Sequence, residues 1–137
     1  RINAAMKTLR SDYAATDYAA RGALVAASAL VSRKDISGAR AQLEWLAQTK
    51  HAALVPVARL RLSALFLDQK EYDQALSQLK DAPPSFEGLF ADRRGDVLAA
   101  QGQVAEARKA WNQAIESFGA TNPLTPIVKL KLDSLGV

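Results

Sequence analysis

The stretch "ADRRGDV" carries the clearest candidate for reactive chemistry, because Asp92 and Asp96 stand four residues apart and share one side of a predicted helix. Two neighbouring carboxylates can serve as a general acid and a general base, provided that a pocket drives their pKa values apart. Arg93 and Arg94 lie between them in the sequence. The pattern therefore favours a solvated or ion-paired helix face over a catalytic pair.

Other reactive residue types occur without the neighbours that their chemistry needs. His51, in "QTKHAALVP", has no second histidine, cysteine or acidic cluster at ligand spacing, so we interpret it as a surface turn residue. The stretch around Gly102 lacks the glycine fingerprint and the preceding strand of a nucleotide-binding loop. The serines have no histidine partner in a recognisable motif. These observations predict a protein that is not an enzyme and that uses no cofactor or metal.

The composition is that of a soluble helical domain. Apolar residues make up 49% of the 137 residues and charged residues 23%, and strong helix formers dominate. The 18 basic residues give a net charge of +4 but form no stripe interleaved with aromatic residues, which argues against nucleic-acid binding. There is no cysteine, and no apolar run approaches the ~18 residues that span a bilayer. We expect one domain over residues 1–137, excised from a longer chain because it begins at Arg1.

An internal repeat predicts the architecture. The segments "SRKDISGARAQLEWL", "DQKEYDQALSQLKDA" and "AQGQVAEARKAWNQA" align with one another. The equivalent positions are Lys34, Lys70 and Gly102, then Ala39, Ala75 and Ala107, and then Leu43, Leu79 and Trp111. The alanines are 36 and 32 residues apart, an average of 34, which is the length of a tetratricopeptide helix–turn–helix unit. The fold class is therefore all-α, a tetratricopeptide-like solenoid of about three helix pairs with flanking N- and C-terminal helices.

The third copy explains why glycines stand in a helical stretch. Gly95 lets two helix backbones approach closely, Gly102 ends the first helix of the pair, and Trp111 fills the gap between the helices. The predicted helices are 2–10, one that begins at a capping Thr16 and runs to about 33, and then 36–50, 54–69, 71–81, 86–101, 104–118 and 124–135. In the last of these, Ile127, Leu130 and Leu135 share one side, which predicts a cap over the end of the stack.

The repeat geometry predicts a protein-binding groove, because the first helices of stacked pairs line the concave side of a solenoid. The groove residues in this register are Arg21, Leu24, Ser28, Leu60, Arg61, Ala64, Leu67, Asp92, Arg93 and Asp96. Two alternatives remain open. The apolar groove residues could be covered by the N-terminal helix or by one another, since open apolar patches impair solubility. The chain could instead be a self-associating scaffold that uses an exposed patch among Trp45, Phe86, Phe90 and Phe118, although each of these aromatics could be core.

The order of segments resembles a known family. The stretches "LRSDYAATDYAARGALVAA", "VPVARLRLSALFLDQKEYDQAL", "FADRRGDVLAAQGQVAEARKAW" and "TPIVKLKLDSL" are similar to the periplasmic domain of the ancillary SecYEG translocon subunit family of Gram-negative bacteria. The resemblance runs over roughly residues 8–135, and "ADRRGDVLAAQG" followed by "AW" is its most telling part.

The resemblance implies a tethered adaptor. Members of the family have a short cytoplasmic tail, one transmembrane helix and a periplasmic helical-repeat domain. They associate with the Sec translocon and with a membrane-anchored periplasmic chaperone of the prolyl-isomerase type, and are thought to help hand over secreted clients. For this chain it implies a place on the periplasmic face of the inner membrane, with membrane contact only through an anchor that the sequence lacks. No binding residue is carried over from the family, so the groove residues rest on the repeat geometry alone.

Overall fold

Helices account for all of the regular secondary structure in the described part of the chain. The computed structural model describes residue 3 and residues 17–136. Residues 17–136 form seven α-helices and no strand. The helices are α1 (Asp17–Ser32), α2 (Ile36–Ala47), α3 (Val55–Asp68), α4 (Tyr72–Gln78), α5 (Glu87–Ala100), α6 (Val104–Phe118) and α7 (Thr125–Asp133), with a 3₁₀ turn at Pro84–Phe86 before α5. The predicted all-α fold is confirmed.

The predicted helix boundaries agree with the observed ones to within three residues. The prediction of a helix over 36–50 was wrong at its end, because α2 stops at Ala47. There the backbone N–H and the hydroxyl of Thr49 both donate to the Leu46 carbonyl, at 3.1 Å and 2.8 Å, and this tightens the last turn. The predicted helix over 2–10, apart from Asn3, and the capping role of Thr16 lie outside the described residues.

The three turns within the helix pairs have the same backbone geometry. Lys34, Lys70 and Gly102 take left-handed φ angles of 62°, 62° and 80°. In each turn, the N–H of the next residue donates to a carbonyl five positions back. The bonds run from Asp35 to Leu30, from Glu71 to Phe66 and from Gln103 to Leu98, at 2.8–2.9 Å. This is the Schellman motif, and it confirms that the three positions are equivalent.

The small residues of the repeat are buried at matching places. Ala39, Ala75 and Ala107 each have no exposed surface. The larger residues four positions further on, Leu43, Leu79 and Trp111, are at most 3% exposed. The alignment made from the sequence thus matches the core positions in all three copies.

The chain divides into two compact units, residues 1–65 (unit 1) and residues 66–137 (unit 2). In unit 1, α1 packs against α2, and the buried Gln42 on α2 donates to the Asn3 side chain at 3.0 Å. In unit 2, α5 packs against α6, which also contacts α7. Each unit holds one tryptophan, Trp45 and Trp111 respectively. The expectation of one domain over residues 1–137 stays a prediction.

Helix α7 caps the core of unit 2, but not through the predicted side. Val128 is buried in a cluster with Trp111, and Leu132 and Leu135 pack against that cluster. Ile127 and Leu130 are 49% and 68% exposed, so their predicted role in the cap was wrong. Positions 128, 132 and 135 are spaced i, i+4, i+7 and share one face of a helix, which turns Ile127 and Leu130 away from the core.

Candidate protein-interaction surface

The carboxylates singled out in the sequence are paired with basic side chains within unit 2. Lys131 Nζ donates to Asp92 Oδ1 at 3.0 Å and to Asp96 Oδ1 at 2.9 Å. Asp92 also accepts from Arg93 Nη1 at 2.8 Å, and its side chain is only 6% exposed. We call Asp92, Arg93, Asp96 and Lys131 the Lys131 cluster. The ion-paired interpretation of "ADRRGDV" is therefore confirmed.

The pKa values in the Lys131 cluster are shifted by burial and by the contact of one lysine with two aspartates. Burial raises the pKa of Asp96 above its ordinary 3.8, and the hydrogen bond from Lys131 only partly offsets this. Burial opposes the charge of Lys131, but its hydrogen bonds to Asp96 and Asp92 and the attraction of their charges together raise its pKa above 10.5. One ammonium thus holds two carboxylates, an arrangement that fixes α7 against α5.

His51 joins the loop between α2 and α3 to the start of α1. The ring is half-buried, its Nδ1 accepts from the Leu54 backbone N–H at 3.2 Å, and its Nε2 lies 2.7 Å from Asp17 Oδ1. Hydrogen bonds with His51 and Arg21 hold the pKa of Asp17 below its ordinary value. The interpretation of His51 as a turn residue stands, with the addition that it contacts another helix.

The six unit 1 residues of the predicted groove lie on α1 and α3, and we call them the Arg61 face. They are Arg21, Leu24, Ser28, Leu60, Arg61 and Ala64. The structure brings Arg61 onto α1, where its Nη1 donates to Ser28 Oγ at 3.1 Å and to the Leu24 carbonyl at 3.4 Å. Leu24 and Leu60 are half-buried, whereas Ser28 and Ala64 are exposed. Arg21 is exposed and pairs instead with Asp17, at 2.5 Å.

The four remaining groove residues lie in unit 2, where three of them belong to the Lys131 cluster. Asp92 is 5% exposed, and Arg93, Asp96 and Leu67 are half-buried. Asp96 already accepts from Lys131, so its charge is compensated inside the unit. The grouping of all ten residues into one groove stays a prediction.

The aromatic patch weighed for self-association is not exposed. Phe90 has no exposed surface and meets the ring of Phe86 edge-on, with 6.2 Å between ring centroids. Phe118 is half-buried and lies against the backbone of Gly88, where an added Cβ would overlap its ring. Trp45 and Phe86 are also half-buried. These aromatics are core or core-edge residues in the described structure.

Two features of the surface were missed in the sequence. On α1, Tyr18 and Val25 are 72% and 71% exposed, and their i, i+7 spacing could have revealed them. In unit 2, α4, α5 and α6 enclose a groove of 710 Å³ beside Arg94, which we call the α6 groove. In the sequence, Arg94 stands out only as a neighbour of the two aspartates, and no local pattern marks it as a groove residue.

Within residues 17–136, no group of three or more His, Cys, Asp or Glu side chains is placed to hold a metal ion. Each helix in this part of the chain is too short or too polar to cross a bilayer.

Comparisons with known proteins place the chain in a family. The family model of the tetratricopeptide repeat-like domain matches residues 1–137. An ancillary SecYEG translocon subunit of Neisseria gonorrhoeae (strain ATCC 700825 / FA 1090) is 34% identical over 98% of this chain and 65% of its own length. The proteins of the same name from Escherichia coli (strain K12) and Haemophilus influenzae (strain ATCC 51907 / DSM 11121 / KW20 / Rd) are 30% and 31% identical over 88% of this chain and 59% of theirs. The chain thus spans about three fifths of the length of these relatives. It belongs to the tetratricopeptide repeat-like domain family, and its relatives here are ancillary SecYEG translocon subunits.

Proposed function

We propose that the chain is a non-catalytic protein-interaction module that works in association with the Sec translocon. The observation that carries this proposal is the match to proteins named ancillary SecYEG translocon subunits over 88–98% of the chain. The fold supports it, because tetratricopeptide-like helix pairs present extended surfaces for partners.

The finer proposal concerns place and partner. The module sits on the periplasmic face of the inner membrane, held there by an anchor outside this sequence, and links the translocon to a periplasmic chaperone of the prolyl-isomerase type and to secreted clients. A tether raises the local concentration of the module, so a weak contact with an unfolded client suffices. This proposal comes from the family resemblance, and the helical-repeat structure is compatible with it.

The partner contact is proposed on the Arg61 face of unit 1. Half-buried Leu24 and Leu60 offer apolar contact area, and the exposed Arg61 guanidinium has donors beyond those that reach Ser28 and Leu24. Arginine beside apolar side chains is a frequent anchor in interfaces.

Site-specific photocrosslinking in cells tests the proposal. A photoreactive amino acid at Ser28 or Ala64 of the full-length protein, both exposed, should yield adducts with a SecYEG subunit or with the chaperone. The same residue at Glu44, exposed on α2, is the matched control and should yield fewer adducts. Equal adduct yields at all three positions would contradict the proposal that the Arg61 face is the contact surface. The absence of any translocon or chaperone adduct from further surface positions would contradict the proposed function.

The competing function is a self-associating scaffold, and one observation favours it. Ile127 and Leu130 remain exposed on the terminal helix α7, where solenoid caps are usually polar. Light scattering over a range of concentrations separates the two functions. A mass that stays at that of one chain supports the adaptor, and a stable dimer that protects Ile127 and Leu130 from labelling supports the scaffold.

A further inference from the structure

The α6 groove has an apolar floor and charged edges. Leu76 of α4, Leu98 of α5 and Ala110 of α6 line it. Its α6 edge carries Glu106, Lys109, Gln113 and Glu116. Positions 106 and 116 are about 15 Å apart at the helical rise of 1.5 Å per residue. This edge is long enough to lie alongside about five residues of an extended peptide.

Arg94 is a half-buried cation at this groove with only neutral acceptors. Its Nη1 donates to the Leu79 carbonyl at 3.2 Å, and its Nη2 donates to Gln113 Oε1 at 3.1 Å. Within residues 17–136, Arg94 forms no ion pair with a carboxylate. Burial lowers the pKa of Arg94 from its ordinary 12.5, which is the mark of a charge that its surroundings leave uncompensated.

The charges along the α6 edge are negative at both ends and positive in the middle. Glu106 is followed by Lys109, then by Gln113 with the Arg94 guanidinium bound to it, and then by Glu116. The two carboxylates stand at the ends and the two cations in the middle. A complementary ligand has an acidic side chain at its centre, basic side chains at its ends, and apolar side chains for the floor.

We propose that the α6 groove binds a short segment of a partner protein in which one acidic residue stands between apolar residues and is flanked by basic residues. The acidic side chain pairs with Arg94, whose remaining N–H groups suit a carboxylate oxygen. The flanking basic side chains meet Glu106 and Glu116. The groove uses residues other than those of the Arg61 face, so this proposal and the translocon contact can fail separately.

A synthetic peptide is a direct probe of the groove. The acetylated and amidated peptide Lys-Leu-Glu-Leu-Lys is titrated into the purified chain by calorimetry, with two control peptides that replace its Glu by Gln or exchange its charges as Glu-Leu-Lys-Leu-Glu. We expect saturable binding of the first peptide and about tenfold weaker binding of the Gln peptide, because one charge-assisted hydrogen bond is lost. Equal binding of all three peptides, or no binding of the first, would overturn the proposal.

Charge reversal at the ends of the groove separates recognition from misfolding. The double variant carries Glu106→Lys and Glu116→Lys. Both positions are exposed, so the substitutions should leave the helices intact. This variant should lose affinity for Lys-Leu-Glu-Leu-Lys and gain affinity for Glu-Leu-Glu-Leu-Glu. Unchanged preference in a folded variant would contradict the proposal.

NMR locates the contact and identifies a competing occupant. Backbone amide shifts of Lys109 and Gln113 should move on peptide addition, whereas that of Lys129, exposed on α7, should not. The same Lys109 and Gln113 shifts appearing on concentration of the chain alone would show a second copy in the groove, and would overturn the peptide proposal.

Discussion

The indole of Trp111 lies directly against the backbone of Gly95, and an added Cβ at Gly95 would overlap its ring. The ring is 3% exposed and cannot withdraw easily, because its Nε1 donates to the Asp92 carbonyl at 3.0 Å. The contact joins α5 to α6. In the first copy of the repeat, the positions equivalent to Gly95 and Trp111 are held by Ala27 and Leu43, which are also 16 residues apart. The contact of Trp111 with Gly95 explains why a glycine persists inside a helix that would otherwise favour alanine.

Replacing Gly95 by Ala should destabilise the protein by about 1–3 kcal/mol, despite the better helix propensity of alanine, because the new methyl group overpacks the core. Urea unfolding followed by far-ultraviolet circular dichroism measures the loss. Adding Trp111→Leu recreates the combination of Ala27 and Leu43, and the double variant should be more stable than the sum of the single effects by at least about 1 kcal/mol.

The control for this pair is Gly102→Ala. No atom lies within 4 Å of a Cβ built there, but φ is +80°, so the cost is backbone strain of about 1 kcal/mol. That cost should not change when Trp111→Leu is added. Additive effects at positions 95 and 111 would contradict the proposed contact.

Replacing Lys34 or Lys70 by Gly should stabilise the protein. Both lysines have left-handed φ angles of 62°, a conformation that costs a non-glycine residue about 1–2 kcal/mol. Glycine avoids this cost, but part of the gain is offset because glycine loses more backbone entropy on folding. We expect a net gain of about 0.5–1 kcal/mol per site in urea unfolding. Lys34→Ala and Lys70→Ala keep the strained conformation and should show no such gain. A loss of stability in both glycine variants would contradict the role of these turns.

Replacing Lys131 by Met should destabilise the protein by about 1–3 kcal/mol, because it leaves the carboxylates of Asp92 and Asp96 short of a charged partner. Thermal and urea unfolding at neutral pH measure the effect. Lys129→Met is the matched control, since Lys129 is exposed on the same helix. An equal effect of the two substitutions would contradict the anchoring role of Lys131.

The same cluster predicts a loss of stability in alkali. The pKa of Lys131 is raised in the folded protein, so its contribution to the free energy of unfolding is fully present below pH 10.5 and is lost as pH rises through the folded value. The difference in stability between the wild type and Lys131→Met should therefore be constant from neutral pH to about pH 10 and shrink above it. A difference that grows as the pH rises above 10 would have the wrong sign.

When the His51 ring is uncharged, its single N–H proton should be on Nε2 and not on Nδ1. The Leu54 backbone N–H donates to both Nδ1 and the His51 carbonyl, and the contact with Nδ1 favours a ring proton on Nε2 that points to Asp17. The ¹⁵N shifts of the ring can be assigned without ambiguity, since this is the only histidine in the sequence. Asp17→Ala should leave the tautomer unchanged, because the Leu54 bond remains. A ring protonated on Nδ1 would contradict the loop geometry.

The fold could be predicted because its signals are local. Turn positions such as Lys34 and Gly102, and small core residues such as Ala39 and Ala107, recur at intervals of 32 or 36 residues and depend only on neighbours within one helix pair. The residue types differ between copies, because lysine and not glycine stands in two of the three left-handed turns. The copies could therefore be aligned only by the spacing of several positions, and not by glycine alone.

The candidate sites were predicted less well because their contacts are distant in sequence. Asp92 and Asp96 meet Lys131, which follows them by 39 and 35 residues, and Arg94 reaches Leu79 and Gln113 across 15 and 19 residues. No local pattern sets the rotation of α7 or the position of a guanidinium between three helices. For the same reason the sequence indicated that Asp92 could face a groove, whereas its side chain is buried against the last helix.

One tryptophan in each unit has a practical consequence for watching this protein unfold. The buried indole of Trp111 should emit at shorter wavelength than the half-buried indole of Trp45, because fewer water dipoles relax around it. Intrinsic fluorescence therefore gives each unit its own optical signal. Phe replacements at one or the other tryptophan would let the melting of residues 1–65 and of residues 66–137 be timed independently in the same chain.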